Sequence, residues 1–295
     1  MKFRHWLEYL GLRILGLWAC LLPLPYALTL GSLLGQFVFS LIGFRRKVTL
    51  ANLKRVFPEA SEKEWLRIGA RTYQNFARGM VEYLRFPKFK RTDIERLVEI
   101  EGLENFAKGF KRGKGIIAVT GHFGSWEILA AAVALKGYPV NVIYKEQHNR
   151  KVDELMNKYR RKMGIKVIAL GVSLRQVLKA LHQNEIVAFL SDQDAHESGV
   201  FVNFFGNLTS TPPGPILFAL KTKAVLIPVF IVREEKFRHR IKILKPVEVQ
   251  PSKDEKQDLI YYTTEYTGLL ETEIRKNPDQ YLWLHRRFKT KPPFF

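Results

Sequence analysis

The sequence predicts an α/β fold, a mixed and largely parallel sheet flanked by helices, preceded by an N-terminal membrane-anchoring hydrophobic helix or helix pair. Two observations predict it. Short β-branched apolar runs alternate with amphipathic stretches over most of the chain, and a long charge-free run precedes them. The runs GIIAVTG (115–121), PVNVIY (139–144), KVIAL (166–170), EIVAFLS (185–191), AVLIPVFIV (224–232) and RIKILKPVEV (240–249) read as strands. Between them WEILAAAVALKG, KVDELMNKYRRKMG, SLRQVLKALHQ and PPGPILFALKTK read as helices. Parallel neighbours need long crossovers, and those crossovers put helices on both faces of the sheet.

From Ile14 to Phe44 the chain has no charged residue and no histidine. That run exceeds the roughly 20 residues that a helix needs to cross a bilayer. Pro23 and Pro25 interrupt it, since proline lacks a backbone donor and clashes with the preceding turn. Two forms fit: one bent span, or a shorter span followed by a second helix. Lys2, Arg4 and Arg13 precede the run and Arg45, Arg46 and Lys47 follow it, a symmetry that favours a helix pair returning to the face it left. Trp6, Tyr9 and Trp18 suit an interfacial belt. The run is too long for the core of a cleaved signal peptide, and no small-x-small site follows it promptly. Residues 1–44 therefore read as the anchor and 45–295 as one catalytic-sized domain. That domain opens with helices, one of them entered through Ser61 with Glu64 three residues on, the capping-box spacing.

The chain's 295 residues carry 48 Lys+Arg against 28 Asp+Glu, a net charge of +20. With 46% hydrophobic and 13% aromatic residues, this is a folded body and not a basic disordered tail. The single cysteine, Cys20, excludes an internal disulfide framework and a thiolate zinc cluster. Anionic partners follow from the charge: nucleic acid, an anionic lipid surface or an acidic carrier protein. No helix-turn-helix, RNA-recognition or zinc-finger pattern supports the first, so no nucleic-acid partner is expected.

Ligands of open α/β sheets bind at the carboxyl ends of strands. The first such junction, TGHFGSWE, holds His122 between glycines and Glu127 at the start of the next helix. With His122 in the loop, the Glu127 carboxylate can fold back onto one ring nitrogen and leave the other to take a proton from a hydroxyl. Free amides of the helix's first turn can then face a developing oxyanion. Chance predicts fewer than one His-x4-acid pair in this composition, and the chain has two. The other, His148 with Asp153, has no glycine beside it and reads as coincidence. SDQDAHE brings Asp192, Gln193 and Asp194 to another strand end, either as a metal-binding carboxylate pair or as one Asp that orients a helix or substrate. His196 and Glu197 add no metal spacing, and no metal is expected. Arg160 and Arg161 lie in a basic helix beside the candidate site, either as part of a solvated face or as a pair that holds phosphate.

Taken in order, RRKVTLANLKRVFPE, GHFGSWE, YRRKMG, LSDQDAHESGVFVNFFGNLTSTPPG and PDQYLWLHRRFKTKP resemble the lipid A biosynthesis (late, or secondary) acyltransferases, a branch of the lysophospholipid acyltransferase superfamily. Actinobacterial mannoside acyltransferases are similar in the same places. The resemblance spans nearly the whole chain, and it makes 45–295 an acyltransferase domain. It implies transfer of an acyl group from a thioester, on acyl carrier protein or coenzyme A, to a hydroxyl of a phosphorylated glucosamine-based glycolipid. The site is the cytoplasmic face of the inner membrane. His122 would be general base and Glu127 its orienter, without cofactor or covalent intermediate. Arg160 and, less directly, Arg161 would bind acceptor phosphate, and Asp192 and Gln193 match a D-Q pair with a structural or acceptor-orienting role. STPPG departs from the Thr-x-Thr/Pro-Gly pattern of many relatives at Thr211. Phe201, Phe204 and Phe205 are candidates for an acyl groove. The rivals are a lysophospholipid or phosphatidylinositol mannoside acceptor, a thioesterase using the same residues, and a non-catalytic membrane-surface binder.

Overall fold

The computed structural model describes residues 3–170 and 173–292, so Lys2 among the flanking basic residues lies outside it. Seven strands form one sheet: β1 (Val98–Glu101), β2 (Ile116–Thr120), β3 (Val140–Tyr144), β4 (Lys166–Ala169), β5 (Ile186–Leu190), β8 (Val225–Arg233) and β9 (His239–Ile243). Their order is β1-β9-β8-β2-β5-β3-β4. Every neighbouring pair is parallel except β8 with β9, whose short connection allows only an antiparallel return. All six runs read as strands lie in this sheet, although RIKILKPVEV contributes only its first part. The four-residue β1 is too short to stand out in sequence. A separate hairpin, β6 (Val200–Phe204) and β7 (Asn207–Thr211), lies within VFVNFFGNLTST, outside the seven-stranded sheet. Its two-residue turn has positive φ at both Phe205 and Gly206, the twist that matches paired strands.

Alternate residues of each central strand feed two cores. Ile116 and Ala118 of β2 face one side, with helices α4 (Glu62–Leu84), α7 (Trp126–Leu135) and α8 (Arg150–Lys162). Ile117 and Val119 face the other, with α9 (Ser173–His182), α10 (Gly214–Thr222) and α11 (Glu255–Lys276). Buried on both faces, these strands read as unbroken apolar runs. Two short helices, α5 (Arg91–Leu97) and α6 (Leu103–Phe110), flank β1.

The N-terminal run is a helix pair, α1 (Phe3–Leu21) and α2 (Leu24–Phe37), and α2 continues into one π-helical turn, Val38–Ile42. Pro23 and Pro25 divide them by opening α2, where a missing N–H costs nothing. Arg85 and Lys88, at the end of α4, donate to the terminal carbonyls of α1 at Ala19, Leu22 and Cys20. These carbonyls have no partner within the helix. The start of α1 is held by its Glu8, which accepts from the Asn149 amide (3.0 Å) and meets the His148 ring (3.1 Å). His148 therefore pairs with Glu8 and not with Asp153. One face of α2 packs on α4 through Gly31 and Gly35: a Cβ at Gly31 would come within 2.7 Å of Val81, and one at Gly35 would collide with the Tyr73 backbone. The other face exposes Tyr26, Leu30, Leu33, Leu34 and Phe37, and α1 exposes Phe3, Trp6, Leu7, Leu10, Ile14 and Leu17. Leu24–Ile42 is long and apolar enough to cross a membrane. After Gly43, α3 (Arg46–Val56) returns the chain to the body.

Gly35→Leu should force α2 away from α4 and cost about 1–3 kcal/mol or more by overpacking. A thermal midpoint several degrees below wild type in detergent, with Leu34→Ala on the exposed face unchanged, would check this.

Candidate active site

The parallel register places the site. Thr120 of β2 pairs with Leu190 of β5, so the residues two positions beyond each strand, His122 and Asp192, come to the same height at the sheet's carboxyl edge. There the His122 ring Nδ1 lies 2.8 Å from Asp192 Oδ1, and the His122 backbone N–H donates to Oδ2 at 2.9 Å. Asp192 is buried and the His122 side chain is 22% exposed. Burial pushes the Asp192 carboxyl up, but the His122 charge and both hydrogen bonds from His122 outweigh it and hold it below the ordinary carboxylate range. An ionised carboxylate only accepts, so Nδ1 carries a proton, and in the neutral imidazole the lone pair is then on Nε2. Among the described residues Nε2 meets only the Gln193 amide, at 3.4 Å, and Trp126 packs edge-on to the ring at 5.1 Å between centroids.

The loop is over-determined. Gly124 has φ +59°, and a Cβ there would collide with the Ile231 carbonyl. The Gly124 N–H donates to Gln280 O at 2.9 Å, and Leu282 N–H donates to His122 O at 2.9 Å. Residues 278–290 thus form a strap across the site. Asn52 of α3 donates to Trp283 O and His285 O, Tyr281 Oη to Asp192 O, and the buried Arg287 to Ser210 O and Thr211 Oγ1. Thr211 is a structural acceptor here.

Glu127 does not meet His122. At the start of α7 it is held by Arg160 of α8, with Nη2 at 2.5 Å from Oε1 and Nε at 3.1 Å from Oε2. The fold-back expected from the His-x4-Glu spacing is replaced because the neighbouring strand already supplies a carboxylate to the ring. Arg160 is correspondingly no free phosphate clamp. It is buried between the Tyr83 and Tyr144 rings, and although burial opposes its charge, Glu127 raises its pKa. Arg161 is exposed on α8 and apart from this pair. Asp192 and Asp194 do not converge as a metal pair: Asp194 accepts from Thr290 Oγ1 (2.9 Å) and meets His196 Nδ1 (3.3 Å). Glu197 lies in a short 3-10 turn beside it. Phe204 and Phe205 pack in the core with Trp283, and only Phe201 stays partly open.

Sequence reading missed a second buried cluster directly behind the loop. Glu82 of α4 accepts both ends of Arg233 (2.6 and 2.8 Å), meets His239 (2.9 Å) and accepts from Ser125 Oγ (2.7 Å). Burial drives the Glu82 carboxyl up, but Arg233 and His239 more than reverse it, so it stays ionised. Ser125 opens α7, so this cluster fixes the exit of the His122 loop. Its members are scattered over 158 positions with no local spacing, and GHFGSWE names only Ser125.

Residues 1–290 match the bacterial lipid A biosynthesis acyltransferase family, which makes the chain an O-acyltransferase. Two relatives from Escherichia coli (strain K12) are a lipid A biosynthesis palmitoleoyltransferase, 28% identical over 98% of this chain and 93% of its own, and a lipid A biosynthesis lauroyltransferase, 29% identical over the same shares. A 1-acyl-sn-glycerophosphate acyltransferase from Thermotoga maritima superposes at TM-score 0.42 with 17% identity, over 86% of this chain and 97% of that one. The chain belongs to the lipid A biosynthesis acyltransferase family.

Glu127→Gln should leave Arg160 buried without a counter-charge and cost about 3–5 kcal/mol, whereas removing both charges in Glu127→Leu/Arg160→Met should restore most of that stability. Denaturant unfolding in detergent reads both. His285 supplies a pH dependence. Its Nε2 accepts the Asp194 N–H at 3.0 Å, and burial pushes its pKa below the ordinary value. An unfolded chain takes up this proton first, so the contribution is complete above about pH 6.5 and is lost as pH falls toward the lower native value. His285→Gln, which keeps an acceptor, should lose less stability than wild type between pH 7.5 and 5.5.

Proposed function

We propose that the protein transfers a fatty acyl chain from an acyl carrier protein thioester to a hydroxyl of a phosphorylated, glucosamine-based lipid A precursor at the cytoplasmic face of the inner membrane. The observation that carries the reading is the buried Asp192 on Nδ1 of His122, with Nε2 facing the Gln193 amide and no carboxylate among the described residues, in a chain of this family. Asp192 holds the ring in the tautomer that presents Nε2 and stabilises the imidazolium that forms. Nε2 takes the proton of the acceptor hydroxyl, and the oxygen attacks the thioester carbonyl. First-turn N–H groups of α7, which have no partner within the helix, face the oxyanion. The C–S bond then breaks, the thiolate takes the proton from His122, and ester and thiol leave. The chemistry needs only the two substrates, with coenzyme A as the alternative donor. Glu127, locked to Arg160, keeps α7 and α8 in place, and Gln193 sits where it can orient the hydroxyl.

The apolar outer faces of α1 and α2 support attachment to the membrane that holds such an acceptor, and confinement to that surface raises the effective acceptor concentration. The net charge of +20 favours encounter with an anionic surface and an acidic carrier.

Membranes containing the protein should add one acyl group to a tetra-acylated lipid A precursor supplied with an acyl carrier protein thioester, read as the mass of the acceptor. Asp192→Asn and His122→Ala should each lower the rate by about 10²–10⁴-fold. Transfer only to a lysophospholipid or mannoside would replace the acceptor, and release of free fatty acid alone would replace transfer by hydrolysis.

A further inference from the structure

Arg160 is committed to Glu127 and offers no free charge, but a second region of the chain does. A cleft of about 310 Å³, large enough for a small ligand, opens between α3 and the strap. Val48, Ala51, Asn52 and Arg55, spaced along one face of α3, form one wall. Arg286, Phe288 and Lys289 form the other. Asn52 ties its own wall to the strap through Trp283 O and His285 O.

The chemistry of the cleft is amphipathic. Val48, Ala51 and Phe288 make it apolar, and the Arg55 guanidinium lies 5.1 Å above the Phe288 ring. The cations Arg55, Arg286 and Lys289 make its rim, and among the described residues no carboxylate lines it. Among the described residues, none of the three has an ion-pair partner, whereas Arg240 elsewhere on the surface is met by Glu99, Glu101 and Glu234. Three unpaired cations around an apolar floor fit an anionic head on an apolar body. Two guanidiniums favour a phosphoryl group, whose oxygens accept paired N–H donors.

Its position links membrane and catalytic centre. α3 follows directly on the exposed apolar segment that ends at Phe44, and Arg45 donates to Leu284 O of the strap. The same strap touches both catalytic loops, through Leu282 N–H to His122 O and through His285 to Asp194 N–H. Arg286 is four residues beyond Leu282, so its backbone lies within about 14 Å of it.

We infer that this cleft binds the anionic phosphomonoester headgroup of a membrane lipid, and that in the proposed reaction it holds the phosphate of the acceptor. The second half of that statement rests on the function proposed above, and the first does not. The test uses the whole protein in detergent and the variant Arg55→Gln/Arg286→Gln/Lys289→Gln, whose three side chains are exposed and leave the fold intact, as an unchanged thermal midpoint should show. The first arm measures binding of dihexanoyl phosphatidic acid, dihexanoyl phosphatidylcholine and inorganic phosphate by calorimetry. Wild type should bind phosphatidic acid best, more weakly as salt rises. The variant should lose about tenfold or more, the loss expected for a charge-assisted hydrogen bond. Equal binding of phosphatidylcholine, equal binding of inorganic phosphate, or no loss in the variant would each overturn the lipid-phosphate assignment. The second arm measures KM for each substrate. A rise of about tenfold for the phosphorylated acceptor, with donor KM within about twofold, supports the acceptor role. A rise confined to the donor refutes it. If wild type does not acylate the lipid A precursor at all, the proposed function fails while the binding arm still decides the cleft.

Discussion

Parallel pairing of β2 with β5 is the constraint on which the site depends. It brings together two loop residues 70 positions apart, because the register of a parallel pair extends past the last paired residues. The resulting contact is doubled, since Asp192 receives both the ring and the backbone N–H of His122. A carboxylate buried at this depth is unfavourable unless such bonds compensate it, so the pair and the loop geometry support each other. Asp192 thereby becomes part of the fold as much as of the proposed chemistry.

Around that pair the protein uses buried charge to define positions. Glu127–Arg160 joins α7 to α8, and Glu82 with Arg233, His239 and Ser125 joins α4 to β8, β9 and the start of α7. Buried ion pairs contribute little net stability over apolar residues of the same volume, but breaking one leaves an uncompensated charge. Their effect here is on orientation: both hold the exit of the segment 121–127, one at Ser125 and one at Glu127. The strap closes the arrangement, because its backbone bonds His122 O and Gly124 N–H while Arg287 reaches the β7 edge.

The N-terminal hydrophobic part follows a different logic. α2 lies against α4 on glycines and presents its larger side chains outward, so the hydrophobic segment is at once part of the body and an apolar surface. Helix pair, α3 and strap are consecutive along one path from that surface to His122, and the unpaired cations lie on this path.

Much of this was legible in the chain. The six apolar runs gave the strands of a two-faced sheet because burial on both faces leaves a continuous apolar signature. Pro23 and Pro25 marked the division of the hydrophobic segment, and Ser61 capped its helix by accepting from the Glu64 N–H. His122 stood out through its setting between glycines at a strand end. Which carboxylate would serve it was a different matter. Glu127 is close in sequence and Asp192 is not, and strand order is a long-range property: β5 enters between β2 and β3 only when the whole sheet assembles. The same reason explains Arg160, read as an exposed phosphate ligand until α8 packs it onto Glu127, and Glu82, whose partners lie on three other elements. Local pattern and composition determined the elements, the apolar surface and the basic charge. Tertiary packing alone decided which charges meet, because pairing at that range is set by register and crossover and not by spacing.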